Sequence, residues 1–388
     1  NEASPGDKDT GYVAATNITN PVIAGKGYWC YIGPVPLTFE TVGTPNKFSF
    51  SYPVTFNSSV GGPANDGWNL VCNPYPSSID WDAPGWTKTG LNGAIYILNA
   101  SNGSYASYVG GFGVNGGSKD IASSQAFWVQ ANAATAALSS TETVKSATDV
   151  SFLRATLSPQ SVTSNALTLT AIGNGNNTDQ ILIHFTSGAT TGFDSNYDAA
   201  KLLSTNPAAP NIATVNTQDY AINGFPDLSS TITIPIRMLV PVTGTYTINR
   251  DSVLTLASSS CLLLEDLLTG STTDLRSNIG YTFSISDTTQ APRFLLHISP
   301  PATTQTFGTN CYGDATGMAI AAGSGSSPWT YVWKDSMGNV LQTKTLSTPD
   351  TLFNLSAGNY TVEILGTSSL CGMVSESITI VQPLEIAP

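Results

Sequence analysis

The chain has 388 residues, of which only 10% are charged, and its 14 Lys and Arg against 26 Asp and Glu give a net charge of −12 at pH 7. This acidic balance argues against nucleic acid as a partner, because phosphate binding requires a cationic surface. No apolar run reaches the roughly 18 residues that a membrane-spanning helix needs, so no transmembrane segment is predicted.

The first segment, residues 1–140, alternates apolar and polar residues with the period of a β-strand. The apolar positions of its clearest alternation are Phe48, Phe50, Tyr52, Val54 and Phe56. The stretch from Gly67 to Pro76 reads Gly-Trp-Asn-Leu-Val-Cys-Asn-Pro-Tyr-Pro and predicts a half-buried strand. Its two prolines remove ladder donors, so the strand is expected to end there.

The second segment, residues 150–299, follows a join over 131–151 that lacks hydrophobic alternation. Ile232, Ile234 and Ile236 alternate with polar residues, and further apolar runs predict more short strands. Two brief pieces are helix-like, one over 194–203 with Asp194 or Ser195 as its cap and one over 262–268. A proline-containing linker over 299–304 leads to the third segment, residues 305–388.

In the third segment, Trp329, Tyr331 and Trp333 alternate as a heavy central strand, and Ala357-Gly358-Asn359 predicts a tight turn. The expected architecture is all-β, with three consecutive antiparallel β-sandwich domains of jelly-roll-like or Ig-like type. The chain begins at Asn1 without a signal peptide, which indicates a mature or truncated form.

The first two segments resemble modules of secreted surface proteins from the phylum Bacteroidota. The first does so through the run at 67–76 and the Ile-Asp-Trp that ends at Trp81. The second does so through His184-Phe185, the stretch Gly192 to Leu202, Ile222-Asn223-Gly224, Leu264-Glu265-Asp266 and Arg293 to His297. The resemblance implies an extracellular location.

The third segment resembles the SprB-type repeat of gliding-motility adhesins, an Ig-like or PKD-like sandwich that occurs in tandem arrays. The matching stretches are Cys311 to Gly317, Ser327 to Trp333, Leu355 to Val362, Cys371-Gly372 and Ile378 to Pro383. An array implies a natural chain that continues past Pro388. The C-terminal sorting domain usual for type IX secretion is absent from this sequence.

The cysteines are interpreted through these resemblances. Many such repeats carry Cys at the places of Cys311 and Cys371, which implies a disulfide, with two buried thiols as the alternative. Cys30 and Cys72 stand where the resembled module usually has Val and Gly, and this joint departure suggests a second pair. Cys261 is left over and is expected to be a small buried hydrophobe.

Candidate catalytic groups all have a simpler structural interpretation. His184 and His297 lie within predicted strands, and Asp80 and Asp82 fit a turn better than a glycosidase pair. Asp194 and Asp198 are candidates for a structural calcium site, but capping of a helix is the favoured interpretation. The glycine-rich stretch over 110–117 precedes no helix, so phosphate binding is not predicted. No cofactor is expected.

Two kinds of surface site are predicted. Trp81 and Trp86 are candidates for stacking on sugar rings, with burial in the first core as the favoured alternative. Several three-residue stretches resemble the O-glycosylation motif of Bacteroidota secreted proteins. In each of them, Asp is followed by Ser or Thr and then by a residue such as Val, Thr, Met or Leu. The candidate acceptors are Ser252, Thr288, Ser336 and Thr351.

The sequence thus predicts a non-enzymatic extracellular protein, secreted or attached to the cell surface. It would form a section of an adhesin or a subunit of a filament, with self-association by pairing of sheet edges and surface glycans as further expected partners. The alternative is a carbohydrate-binding accessory region of a larger secreted enzyme that degrades polysaccharides.

Overall fold

The computed structural model describes residues 14, 16–17, 19–30, 43–58, 65–148, 150–151, 165–251, 256, 261–288, 292–323, 327–366 and 373–385. Two short 3-10 helices occur in this part of the chain, Glu142–Val144 and Asn174–Asn176, and the remaining regular structure is strand. The all-β prediction is confirmed, because the strands form several antiparallel sheets.

The described part of residues 43–148, here the first module, contains ten strands. They are β1 (Phe50–Tyr52), β2 (Trp68–Cys72), β3 (Ile79–Asp80), β4 (Trp86–Thr89), β5 (Ile95–Leu98), β6 (Tyr105–Val109), β7 (Phe112–Val114), β8 (Asp120–Ile121), β9 (Ala126–Gln130) and β10 (Ala137–Ser140). Sheets in the orders β2-β9-β5-β6-β7 and β1-β10-β4, with the pair β3-β8, enclose a core that includes Val71, Phe127 and Val129.

The stretch over 131–151, expected to be a plain join, contains β10. Its alternation is short: in β10 Leu138 and Ser140 are buried while Ser139 between them is half-buried. β10 pairs with both β1 and β4, so this stretch completes a sheet of the first module.

The described part of residues 165–299, here the second module, forms one eleven-stranded sheet. Its strands are β11 (Ala166–Ile172), β12 (Thr178–Phe185), β13 (Ala199–Ala200), β14 (Asn211–Val215), β15 (Asp219–Phe225), β16 (Ile232–Leu239), β17 (Gly244–Arg250), β18 (Leu262–Asp266), β19 (Ser271–Asp274), β20 (Gly280–Ile285) and β21 (Pro292–Ile298). The order is β19-β18-β21-β16-β14-β15-β12-β11-β17-β20, with β13 on β15. It is a near-barrel around a core that includes Leu169, Ile236 and Phe294.

Pairing in the second module corrects the two helix predictions. The stretch over 194–203 forms a turn followed by β13, and the stretch over 262–268 contains β18. In β18 the burial alternates, with Leu262 and Leu264 in the core, so the apolar run has the period of a strand. β12 and β15 run parallel, while the other described pairs of the sheet are antiparallel.

Residues 302–385, here the third module, contain seven described strands. They are β22 (Thr303–Phe307), β23 (Gly317–Ala322), β24 (Trp329–Asp335), β25 (Val340–Leu346), β26 (Asp350–Leu355), β27 (Gly358–Gly366) and β28 (Met373–Ile380). Sheets in the orders β22-β23-β26 and β25-β24-β27-β28 enclose a core around Tyr331, Trp333 and Val362. The heavy central strand predicted from the sequence is β24.

Gly67, at the start of β2, adopts a backbone conformation that a side chain cannot share. Its φ is 75°, and a Cβ atom there would lie 1.8 Å from the carbonyl oxygen of Ala131. We expect Gly67→Ala to lower the free energy of unfolding by about 3 kcal/mol or more, from backbone strain plus displacement of the neighbouring strand.

The matched control is Gly111→Ala, because Gly111 has a φ of 90° and nothing within 4 Å of its Cβ position. Strain alone should cost that variant about 1–2 kcal/mol. Equal losses in the two variants, measured by urea denaturation, would show that the contact with Ala131 does not matter.

Candidate functional site

The β2-β9-β5-β6-β7 sheet is buried on both faces, and its second face packs on the second module. All five residues of β6 are buried, which a sheet with one wet face does not allow. Trp68 and Trp128 project away from the first core and join a separate cluster, here called the inter-module core. Its buried members are Trp68, Ala94, Tyr96, Tyr105, Val109, Val114, Trp128, Ala166, Leu182, Ala199, Ala200, Leu202, Ala221 and Ile222.

Hydrogen bonds across the same interface fix the position of one module relative to the other. The backbone N–H of Gly93 donates to the Ser195 carbonyl over 2.8 Å. In the other direction, Ala200 N–H donates to the buried Tyr96 hydroxyl oxygen over 2.8 Å, and burial raises the pKa of Tyr96. The second-module stretch over 192–202, recognised in the sequence by its resemblance, is therefore one of the parts that dock on the first module.

Small residues permit this close approach. A Cβ atom on Gly93 would lie 2.7 Å from the carbonyl oxygen of Ser195, and one on Gly110 would lie 2.7 Å from that of Asn196. Real Cβ atoms do not come this close to backbone oxygens. Larger side chains at these two glycines would therefore push the modules apart.

A buried ion pair lies at the edge of the inter-module core. The Lys201 ammonium is 2.5 Å from Asp179 Oδ2, and the two side chains are only 3% and 4% exposed. Asp179 also accepts hydrogen bonds from the Ile212 N–H and from the Asn115 side-chain amide, both over 2.8 Å. Because Asn115 belongs to the first module, the carboxylate ties both modules together, and all its partners have good geometry.

The sequence does not predict the Asp179–Lys201 pair. Lys201 stands in the apolar stretch Ala199-Ala200-Lys201-Leu202, and a single charge in such a stretch is a signal of a buried, paired group. Nothing in the sequence indicates which carboxylate is its partner, since Asp179 is 22 residues away.

Asp198 and Asp194 hold the docking stretch in shape instead of capping a helix. The Asp198 carboxylate accepts the N–H of Gly224 over 2.7 Å and that of Asp194 over 2.6 Å, while Asp194 accepts the N–H of Thr190. Within the described ranges, no group of three or more His, Cys, Asp or Glu residues is placed to hold a metal ion. Burial raises the pKa of Asp198 to about 6.

The raised pKa of Asp198 predicts how stability depends on pH. The folded protein takes up a proton on Asp198 at a higher pH than the unfolded chain does, so this group stabilises the fold at low pH. Its contribution is complete below about pH 4 and is lost as the pH rises through about 6. The free energy of unfolding of the wild type minus that of Asp198→Asn should therefore fall between pH 4 and 7, in urea titrations. A difference that stays constant over this range would contradict the prediction.

His184 changes the free energy of unfolding with pH in the direction opposite to Asp198. Its ring is fully buried, stacks on Phe112 of the first module at 4.1 Å, and hydrogen-bonds through Nε2 to the Tyr197 carbonyl over 2.9 Å. Burial lowers the pKa of His184, so acidification below the ordinary pKa of histidine destabilises the fold. The comparison with Asp198→Asn removes this contribution, because both proteins keep His184.

His297 lies in a row of polar side chains across three neighbouring strands. Its Nδ1 is 3.0 Å from the Thr233 hydroxyl, and its Nε2 is 2.9 Å from Glu265 Oε2. The residue types match those of a hydrolase triad, but the hydroxyl and the carboxylate bind the opposite ring nitrogens from those in that arrangement. Thr233 also carries a hindered secondary hydroxyl on a regular strand. We interpret the row as a cross-strand tie between β16, β21 and β18.

The predicted aromatic pair, Trp81 and Trp86, is packed against the first core. Trp81 is 1% exposed and its indole N–H donates to the Gly93 carbonyl over 2.7 Å. Trp86 is half-buried, packs on Trp81 at 4.9 Å, and donates to the Asp80 carbonyl. The ring of Trp81 is therefore not available to a sugar, as its burial alternative anticipated.

Charged groups surround this aromatic pair. The Lys88 ammonium lies 3.7 Å from the centre of the Trp81 ring, and burial lowers the pKa of Lys88 to about 8. Asp80 pairs with Lys119 over 2.6 Å, and Asp82 accepts a hydrogen bond from the Tyr108 hydroxyl. Asp80 and Asp82 thus have separate partners, and only Asp82 lies in a turn, because Asp80 belongs to β3.

The cysteines differ from both predicted pairings. Cys30, Cys72 and Cys311 are free thiols. The predictions of a Cys30–Cys72 and a Cys311–Cys371 disulfide are therefore wrong. Burial raises the pKa of Cys72, which disfavours its reactive thiolate. Cys261, expected to be a small buried hydrophobe, is disulfide-bonded. Cys371 lies outside the described ranges.

The candidate glycosylation sites differ in accessibility. Thr288 and Ser336 are exposed in a loop and a turn, whereas Thr351 is half-buried within β26. Ser252 lies outside the described residues. In the part of the chain that the structure describes, no helix has the length and apolar character needed to cross a membrane.

The fold of the first two modules, an all-β unit with one shared core, agrees with the extent of a known family. The sequence profile of the family described as "Domain of unknown function (DUF8693)" matches residues 8–298. The chain belongs to this family, and the match covers both modules and stops before the third. No curated protein matches the chain.

Proposed function

We propose that this chain is a section of a non-enzymatic, extracellular structural or adhesive protein of a bacterial cell surface. In this proposal the consecutive β-rich modules project a surface from the cell or stack into a filament. The observation that carries it is the joint between the first two modules. A shared core and a buried Asp179–Lys201 pair restrict motion at that joint, as a rod under tension requires.

The hydrogen bonds made by the buried polar groups at the joint support this proposal. Asp179, Asp198 and His184 are buried ionisable residues at the joint, and each binds a backbone group. Such groups contribute to a fixed geometry between modules. The resemblances to Bacteroidota surface modules and to the SprB-type repeat add the extracellular location, type IX secretion and glycosylation at exposed sites such as Thr288 and Ser336.

Imaging of the source cells tests the proposal. Gold-labelled antibodies against this chain should mark the cell exterior, on fibres or on an extended surface layer, and protease treatment of intact cells should remove the label. Label confined to the cell interior would refute the proposal. The intact mass of the native protein should also exceed that of its sequence, 40.5 kDa for these residues, if the sites carry glycans.

A polysaccharide-binding screen distinguishes the carbohydrate-binding alternative. Binding of a soluble polysaccharide that is lost in Trp86→Ala would favour an accessory region of a secreted enzyme, because Trp86 is the more exposed of the two candidate aromatics. Phe353→Ala, in the third module, is the matched control, since it removes an aromatic side chain that is 60% exposed.

A further inference from the structure

The outer face of the β22-β23-β26 sheet carries several apolar side chains although it does not face a core. In β23, Ala319 and Ala321 point into the third core, while Met318, Ile320 and Ala322 point to the other side and are half-exposed. This alternation is that of a strand with apolar residues on both sides, which is expected when both sides are covered.

The neighbouring strands extend this face. Pairing places Phe307 of β22 opposite Met318 and Thr351 of β26 opposite Ile320. Phe353 follows the buried Leu352 in β26, and its side chain is 60% exposed. The face, here called the third-module face, consists of Thr303, Gln305, Phe307, Met318, Ile320, Ala322, Thr351 and Phe353.

The third-module face carries no charge in a chain whose net charge is −12. Asp350, the nearest acidic residue in β26, is 2% exposed and accepts a hydrogen bond from the Trp333 indole on the core side. Two copies of this acidic chain repel each other over most of their surfaces, but they can bring this face together without pairing like charges. A cationic partner, by contrast, finds no acidic group on it.

We propose that the third-module face binds the same face of a second copy of this chain, in a two-fold symmetric pair. A two-fold contact joins identical surfaces and closes after two copies, so it does not by itself build a filament. The face measures roughly 15 Å by 17 Å from strand spacing and rise, which is small for a stable interface. The pair is therefore reversible and forms as the protein concentration rises. This inference does not depend on the proposed function.

Sedimentation equilibrium of the full chain over a range of concentrations tests the pair. The wild type should shift from monomer to dimer, whereas Phe353→Lys and Gln305→Lys should stay monomeric because each places like charges on both copies. Gln305 is exposed and polar, so its variant leaves the core intact. Leu268→Lys is the matched control, because Leu268 is 72% exposed on the second module, and this variant should dimerise like the wild type.

A mixing experiment makes the test specific to this face. Phe353→Lys and Phe353→Glu should each be monomeric, and an equal mixture should recover the dimer because the two faces then carry opposite charges. A wild type that stays monomeric up to its solubility limit would overturn the proposal. So would dimers that persist in Phe353→Lys, or a glycan on Thr351 in the native protein, which would cover the face.

Discussion

Replacing Asp179 with Ala is expected to lower the free energy of unfolding by about 3–5 kcal/mol, because the substitution leaves the Lys201 ammonium buried without a counter-ion. The loss includes the Asn115 and Ile212 hydrogen bonds, whose donors become unsatisfied in the interior. Urea denaturation at pH 7, followed by tryptophan fluorescence, measures the change.

The surface pair of Lys119 and Asp80 provides the matched control. Lys119 has a side chain that is 45% exposed, so Lys119→Ala should cost less than about 1 kcal/mol. The double variant Asp179→Ala with Lys201→Met should regain part of the loss, because no charge then remains buried. If Asp179→Ala lowers the free energy of unfolding by less than about 1 kcal/mol, then water reaches Lys201. The pair would in that case not hold the two modules together as a buried ion pair.

Replacing Trp128 with Ala is expected to cost about 3–5 kcal/mol and to weaken both of the first two modules. Trp128 is 1% exposed and lies edge-on to Trp68 at 6.4 Å, in a cluster that also contains Leu182 and Ile222 of the second module. The cavity would therefore open between the modules, and the stability of each should fall. Thermal unfolding, followed by calorimetry, should show a lower melting temperature for the transition that contains them.

Trp333→Ala is the corresponding change in the third module. Trp333 is fully buried, and its indole N–H donates to Asp350 Oδ2 over 2.8 Å. A comparable loss of stability is expected, but confined to the third module, because the third core shares no member with the inter-module core. A drop in the stability of the first two modules in this variant would contradict that separation.

Much of the fold could be predicted from the sequence, because a two-residue period is a local signal. The strand over Trp68 to Cys72 and the strand over Trp329 to Trp333 were both readable from their alternation. Apolar stretches without clear alternation give no such signal: the stretch over 262–268 predicts a helix-like piece, but it contains β18. Its burial pattern depends on which strands lie beside it, and this is not local information.

The shared core could not be predicted for the same reason. The alternation of Trp68 with Asn69 was consistent with one buried and one wet face, and only the second module shows that both faces are covered. The resemblance located the docking stretch over 192–202 without indicating what it docks on. The family match to residues 8–298 agrees with the structure, since both place the two modules in one unit.

The candidate site was predictable in its residue types and not in its partners. Asp198 and His184 were singled out in the sequence, but their roles depend on Gly224 and Phe112, which are distant along the chain. The predictions of cysteine pairing are wrong because they depend on where resembled modules usually carry cysteine. Cys30, Cys72 and Cys311 are free, whereas Cys261, which the sequence leaves without a predicted partner, is disulfide-bonded.

The central claim is that the first two modules form one rigid unit through the inter-module core. Amide hydrogen exchange of the full chain, compared between the wild type and Trp128→Ala, tests it most directly. Protection should fall together in β9 of the first module and in β12 and β15 of the second, while β24 and β27 of the third stay protected. Protection lost in β9 alone, with β12 and β15 unchanged, would show that the two modules are independent domains.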